Sequence, residues 1–263
     1  MVNFLSQFKT LVFDSATNME LLARYREQFE LNVGAADPRQ FWGGSTSQLE
    51  QVLFTRQASL PLNVLTLAHI DSQSDMVHGK TLFNPNMPGR LRTSISGNYG
   101  EFYKMLVKEE EEETHYGIMT QSDNHYHAFS AIRAPRRGPA HYETLWKNWP
   151  IGFARRDIHA LVYGPPGSGK TTFASTFPTP IFWFLFDSRD KVTLLSFDPR
   201  LAVVEESETK HGRVEDYRDK DGGLLFHVEH FQEENPTKPK AWSRFLARFQ
   251  EVLAPIASPT PAP

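Results

Sequence analysis

Two kinds of hydrophobic pattern alternate along this chain. Short, almost unbroken apolar runs occur at Thr10–Phe13, Asn63–Ala68, Ile158–Tyr163, Ile181–Asp187 and Leu224–Phe231. They are too short for helices and rich in β-branched and aromatic residues, so they read as buried strands. Between them apolar residues recur at helical spacing. Met19, Leu22, Tyr25 and Phe29 predict a helix from about Thr17 to Leu31, with Ser15 or Thr17 as its cap, and Trp242, Phe245, Leu246 and Phe249 predict one over Ala241–Leu253. Ser47 and Glu50 stand at capping-box spacing and predict a further helix carrying Leu49, Val52 and Leu53. Tyr99–Val107, His115–Gln121 and His125–Arg133 alternate well enough for strands, with Ser122–Asn124 as a turn and the acidic run Glu109–Glu113 as a solvated hairpin tip. Asp71–Arg90 shows neither period and predicts a loop, and the charged Glu205–Gly223 predicts an exposed excursion. The expected class is α/β.

Composition narrows the picture. With 263 residues the chain has room for one large domain or two small ones, and 20 Phe, 8 Tyr and 5 Trp supply ample core. There is no Cys, which excludes a disulfide framework, a thiolate nucleophile and a Cys-ligated zinc site. Against 31 acidic residues stand 28 Lys and Arg, a formal charge of −3, so any affinity for nucleic acid or membrane must be local. Met1–Ser6 is too short and polar for a signal peptide, and no apolar run approaches the ~18 residues of a membrane span. A soluble, cytosolic-type protein is the expectation.

One stretch carries chemistry on its face: Gly164-Pro165-Pro166-Gly167-Ser168-Gly169-Lys170-Thr171-Thr172. Its spacing is that of the phosphate-binding loop, G-x-x-x-x-G-K-[ST], set between the strand Ile158–Tyr163 and a helix predicted over Thr171–Phe177. Glycines allow backbone N–H groups to turn inward around phosphates. Lys170 is placed to reach the β- and γ-phosphates, and the Thr171 hydroxyl to ligate Mg²⁺. The ligand class is therefore a nucleoside triphosphate with Mg²⁺; the reaction stays open. A carboxylate at the end of a buried strand should complete the metal shell. Asp187 ends one such strand, but Asp14, at the end of Thr10-Leu-Val-Phe-Asp14, is the stronger candidate and has the form of a Walker B strand.

Taken together these segments resemble phage and prophage RecA-like P-loop ATPases, AAA-family ATP-binding proteins, over nearly the whole chain but in a changed order. In that family the loop comes first, followed by a strand with an acidic end, a helix, the Walker B strand, a long helix, a sensor strand, a P-G-[KR]-L segment and a β-hairpin region. Here the matching pieces run Gly164–Thr172, Phe182–Asp187 and Ala241–Leu253. They restart at Leu11-Val-Phe-Asp-Ser-Ala-Thr17 and continue through Asn63–Asp71, Pro88-Gly-Arg-Leu91 and the strands near Tyr99–Arg133. Read as 151–263 followed by 1–150 they make one family domain, so a circular permutation is expected. Residues 1–150 form the Walker B and sensor half, 151–253 the phosphate-loop half, 254–263 a Pro-rich tail, and Lys147–Arg156 the connector. A fusion of two truncated fragments, or another P-loop fold with this native order, are the alternatives.

The resemblance implies a mostly parallel sheet flanked by helices, an antiparallel hairpin region, and ATP hydrolysis in DNA recombination, repair or replication. The setting is the host cytoplasm if the gene is phage-encoded. Homo-oligomers and single-stranded DNA are the partners it suggests, the latter near Gly79–Arg92 and Arg133–Arg137. It makes Lys170, Asp187 and His69 the catalytic candidates. Asp187 is a water-activating base or a metal-shell residue, and Arg189 occupies the place where a D-x-E pattern would put Glu, which weakens the case for efficient hydrolysis. His69 is a γ-phosphate sensor, or else a histidine satisfied at a strand end. Arg90 and Arg92 are arginine-finger candidates. Two other readings of the loop stay open: a non-hydrolysing nucleotide-binding module, and a P-loop small-molecule kinase with Arg133–Arg137 as a thin lid. His125 with His127, and His227 with His230, lack neighbouring ligands at zinc spacing, and no metal is expected there.

Overall fold

A computed structural model describes residues 4–35, 37, 39–75, 79–110, 113–147, 157–187 and 199–253. In chain order the first elements are β1 (Thr10–Asp14), α1 (Ala16–Arg26), α2 (Arg39–Glu50), β2 (Asn63–Asp75), β3 (Lys80–Pro85), α3 (Leu91–Ser94), β4 (Glu101–Glu110) and β5 (Glu113–Met119). There follow β6 (Phe129–Ser130), β7 (Arg137–Pro139), α4 (Tyr142–Lys147), β8 (His159–Gly164), α5 (Lys170–Ser175), β9 (Ile181–Leu185), β10 (Val203–Thr209), β11 (Gly212–Arg218), β12 (Leu224–His230) and α6 (Ala241–Leu253).

The apolar runs become the centre of one mixed sheet, ordered β10-β11-β12-β9-β1-β2-β8-β4-β5-β7, with β3 added to β2 and β6 to β4. From β12 to β4 every neighbouring pair is parallel. Both faces are covered, which is why these strands read as continuous hydrophobic runs. Leu11, Phe13, Phe182 and Phe184 point to the face packed by α1, α2 and α6, through Met19, Leu22, Leu49, Trp242, Phe245 and Phe249. Val12, Leu65, Val162 and Trp183 point to the other face, under Phe173, Ala174, Phe177 and Leu145 of the α5 and α4 side. Strands from the two sequence halves interleave: β8 lies between β2 and β4.

Four expectations about local structure need correction. The helix carrying Leu49 begins at Arg39, not at Ser47, because Asp37 supplies the cap: its carboxylate accepts from the Arg39 backbone N–H at 3.0 Å. Gly44 is the residue over which α2 meets Glu27, whose carboxylate occupies the space a Cβ would fill. Asp71–Arg90 is not simply a loop, since β2 runs on to Asp75 and pairs antiparallel with β3 from Ile70↔Pro85 to Asp75↔Lys80. Over Ser72–Ser74 and Lys80–Leu82 the ribbon is exposed, and an exposed ribbon needs no apolar alternation. Glu205–Gly223 is largely the β10–β11 hairpin, whose inner strand buries Glu215 and Tyr217. Finally, only Phe129 and Ser130 of the predicted strand His125–Arg133 pair with the sheet. The Ala241–Leu253 helix forms with the expected bounds, while the first helix tightens into a π turn over Glu27–Leu31. The connector beyond Lys147, Arg189 and the Pro-rich tail lie outside the described residues.

Candidate phosphate-binding site

The carboxyl ends of four adjacent parallel strands, β9, β1, β2 and β8, meet at one edge of the sheet. In open α/β sheets this is the edge where ligands bind. In register, Asp14 of β1 stands beside Leu67 of β2 and Leu185 of β9, and His69 of β2 stands beside Gly164 of β8. Asp14, His69, the loop and Asp187, just past β9, are thereby brought together from positions up to 173 residues apart in the chain.

The loop leaves β8 at Gly164 and reaches α5 at Lys170. Gly167 and Gly169 have φ of +75° and +78°, the left-handed region in which a side chain is strained. Gly164 is excluded from carrying a side chain for another reason: a Cβ would stand 2.7 Å from the Ser168 hydroxyl and 3.0 Å from Met105. Ser168 is buried, and its hydroxyl has no hydrogen-bond partner among the described residues. The Lys170 ammonium donates to the carbonyls of Gly164 and Pro165 at 3.0 and 2.9 Å, so it is held inside the loop it serves. α5 spans only Lys170–Ser175, so its dipole adds little to the positive potential of the loop amides and Lys170.

Across the sheet edge the Thr171 hydroxyl donates to the Asp14 carboxylate at 3.1 Å. Asp14 is buried, and burial pushes its carboxyl up to about 6 from 3.8, with the charge of Asp187 adding to that push. The Lys170 ammonium and the Thr171 hydroxyl pull the other way. One hydroxyl and one carboxylate oxygen are the protein donors a Mg²⁺ ion takes when water and phosphate oxygens fill its other positions. The donor set therefore fits that ion, and a buried carboxylate held by a single Lys gains from an added cation.

His69 Nε2 lies 3.9 Å from an Asp187 carboxylate oxygen, both side chains about one-fifth exposed at 19% and 18%. His69 does not end its strand, as the sequence suggested, because β2 continues six residues to Asp75. Its backbone is instead fixed by Thr17 of α1. The Thr17 hydroxyl accepts from the His69 N–H at 3.0 Å and donates to the Asn86 carbonyl at 3.1 Å, and the Asn86 N–H donates to the His69 carbonyl at 2.7 Å. Ser15 is the helix cap, its hydroxyl accepting from Asn18 N–H.

Other candidates lie apart. Arg90 is paired with Glu50 at 2.7 Å and Arg92 with Asp71 at 2.9 Å, so both are turned to acids of their own chain. His125 faces the Thr81 carbonyl and His127 the Ser122 hydroxyl. His227 lies between Asp216 and Glu229, on the far side of the sheet centre from the loop. No helix among the described residues is long and apolar enough to cross a membrane.

No known protein family, curated protein or solved structure matches this chain. The geometry of the site has to carry its own interpretation.

Proposed function

We propose that this chain is a Mg²⁺-dependent ATP-binding protein and ATP hydrolase, built on a RecA-like P-loop core whose two halves are exchanged in sequence, and serving DNA recombination, repair or replication. The observation that carries the proposal is the Thr171–Asp14 hydrogen bond. It joins a phosphate-loop hydroxyl to a strand-end carboxylate 157 residues away, the pair that a Mg-nucleotide site requires. Strand order lends support. Counted from β8 through β9, β1, β2 and β4, the five parallel strands inside β12 read 5-1-4-3-2 across the sheet, a single switch-point arrangement with the loop beside the switch.

In this reading the loop amides and Lys170 hold the β- and γ-phosphates, while Thr171 and Asp14 hold Mg²⁺. The bound ion supplies charge neutralisation at the phosphates. Asp187 accepts a hydrogen bond from the attacking water, and His69, beside it, faces the γ-phosphate. Arginine for the transition state is not supplied by Arg90 or Arg92 in their observed pairings. Hydrolysis is accordingly expected to be slow without a partner, of which single-stranded DNA is the first to try, since Lys80 and the β2–β3 ribbon project beyond the sheet.

Phosphate release from Mg-ATP tests this. The wild type should turn over, Lys170→Ala should lose about 100-fold or more, and a single-stranded oligonucleotide should stimulate. ATP binding with no release by the wild type would leave a nucleotide-binding module and no hydrolase. Failure to bind ATP would remove the proposal altogether.

A further inference from the structure

The metal end of the site fixes a direction. Asp14 lies on the β1 side of the loop strand β8, and with Thr171 and Lys170 it marks where the terminal phosphates of a bound triphosphate go. The remainder of the nucleotide then extends to the other side of the loop, over β4 and β5.

On that side stands Tyr116 of β5. Its ring closes on Gly169: a Cβ there would stand 2.6 Å from both Cγ and Cδ1 of the tyrosine. The ring packs on the same core face as Phe173 of α5, yet it is only half-buried, and among the described residues it has neither an aromatic neighbour nor a hydrogen-bond partner for its hydroxyl. Val107 lies directly across from it on β4, which puts the two side chains on one face of the hairpin. Val107 is 42% exposed, one of few large apolar residues left so open. A tyrosine ring and an exposed valine thus form an apolar shelf at the edge of a polar, anion-seeking loop.

Resting on the nucleotide reading above, we infer that Tyr116, with Val107 beside it, is the platform on which the base of the bound nucleotide lies. The loop holds phosphates by charge and backbone N–H groups, which carry no preference for a nucleoside. An aromatic face next to the loop adds the part of the affinity that depends on the base. Stacking accepts any purine, so the platform raises affinity for nucleotides over inorganic polyphosphate without selecting ATP from GTP.

The test measures binding of Mg-ATP and of inorganic Mg-tripolyphosphate to the wild type, Tyr116→Phe, Tyr116→Leu and Tyr116→Ala. Tyr116→Leu keeps an apolar contact on Gly169 but has no stacking face, so it separates platform from prop. Expected is a loss of about 10-fold or more in ATP affinity for the Leu and Ala variants, little change for Phe, and tripolyphosphate affinity within about two-fold of wild type throughout. Equal loss of both ligands would mean the ring only supports the loop, and no loss of ATP affinity would mean the base lies elsewhere; either overturns the inference. Wild-type protein that binds neither ligand would overturn the nucleotide reading, and the platform with it.

Discussion

Asp14 carries opposed demands at a single residue. Burial raises its carboxyl from 3.8 to about 6, so between those values the folded protein holds a proton that the unfolded chain has released. Stability therefore falls as pH rises through that window, and above it the fold carries a buried carboxylate at a cost on the order of 3 kcal/mol. In a site without ligand Lys170 and Thr171 are the main groups that offset that charge. Asp14→Asn removes the charge and keeps an oxygen for the Thr171 hydroxyl. Above neutral pH and without metal the variant should melt several degrees higher than the wild type, while its Mg-dependent ATP hydrolysis drops about 100-fold or more. Thermal melts with and without Mg²⁺, alongside phosphate release, check both halves. An Asn variant less stable than the wild type in the absence of metal would show that the carboxylate is part of the scaffold and that its raised value has another source.

Between elements, a dense polar network lies far from the loop, where β11, β12 and α6 meet the amino-terminal turn Phe4–Gln7. His227 Nδ1 is 2.6 Å from Asp216 and its Nε2 is 3.1 Å from Glu229, while Arg248 reaches Glu229 with two nitrogens at 2.7 and 2.8 Å. The rings of Phe4, Phe8 and Phe182 close over the imidazole. With a carboxylate at each nitrogen, both must carry protons, so the ring is an imidazolium. Burial alone would lower it, but Asp216 and Glu229 outweigh burial and hold it above its ordinary 6.5. Burial likewise pushes Glu229 up, and His227 and Arg248 pull it below the usual carboxylate range. His227 thus stabilises the fold fully below its unfolded value and loses that contribution as pH rises through its raised one. Glu229 contributes above its unfolded value and fails as pH falls through its depressed one. Unfolding free energy should peak between the two, and His227→Gln should flatten the alkaline limb and lower stability near pH 6 by about 2–4 kcal/mol; denaturant titration over pH reads both, and an unchanged alkaline limb in the variant would remove His227 from the account. None of this network was legible from sequence, where His227 and His230 stood out only as a pair lacking ligand spacing. Asp216, which meets His227, comes from a segment read as an excursion, and Arg248, which meets Glu229, from the polar face of a helix. The parallel strands, the loop and Asp14 were legible, because burial on both faces and the phosphate-loop spacing leave marks within a few residues. The β2–β3 ribbon and Tyr116 were not, since a wet hairpin and a contact two strands away leave no periodic trace.

At the scale of the whole molecule the interleaving of the halves sets the decisive test of the exchanged order. The loop strand β8 fills a slot between β2 and β4, so neither half can close the sheet alone: without β8, two parallel strands would present unpaired edges to solvent. The site, in turn, exists only when β8 and β1 come from one folded sheet. If the present order is a rearrangement of a domain that began with the loop half, the old junction should be easy to restore. The last described turn of α6 ends at Leu253, and α6 packs on the segment that opens the described chain, with the Arg248 guanidinium 4.7 Å above the Phe4 ring. A Gly/Ser linker from Leu253 to Phe4 would rejoin them. Closing such a loop carries an entropy that grows only slowly with its length. Opening the chain between Lys147 and Asp157 completes the reordered protein. It should fold to a Tm within a few degrees of the parent and release phosphate from Mg-ATP at a rate within about three-fold, with the same dependence on Lys170. The sheet neighbours, and with them the Thr171–Asp14 contact, are the same in either order; only which crossover is severed differs. A reordered chain that folds but hydrolyses nothing would mean that the 147–157 crossover itself positions the loop. One that does not fold while the parent does would assign the present order to a fold native in its own right.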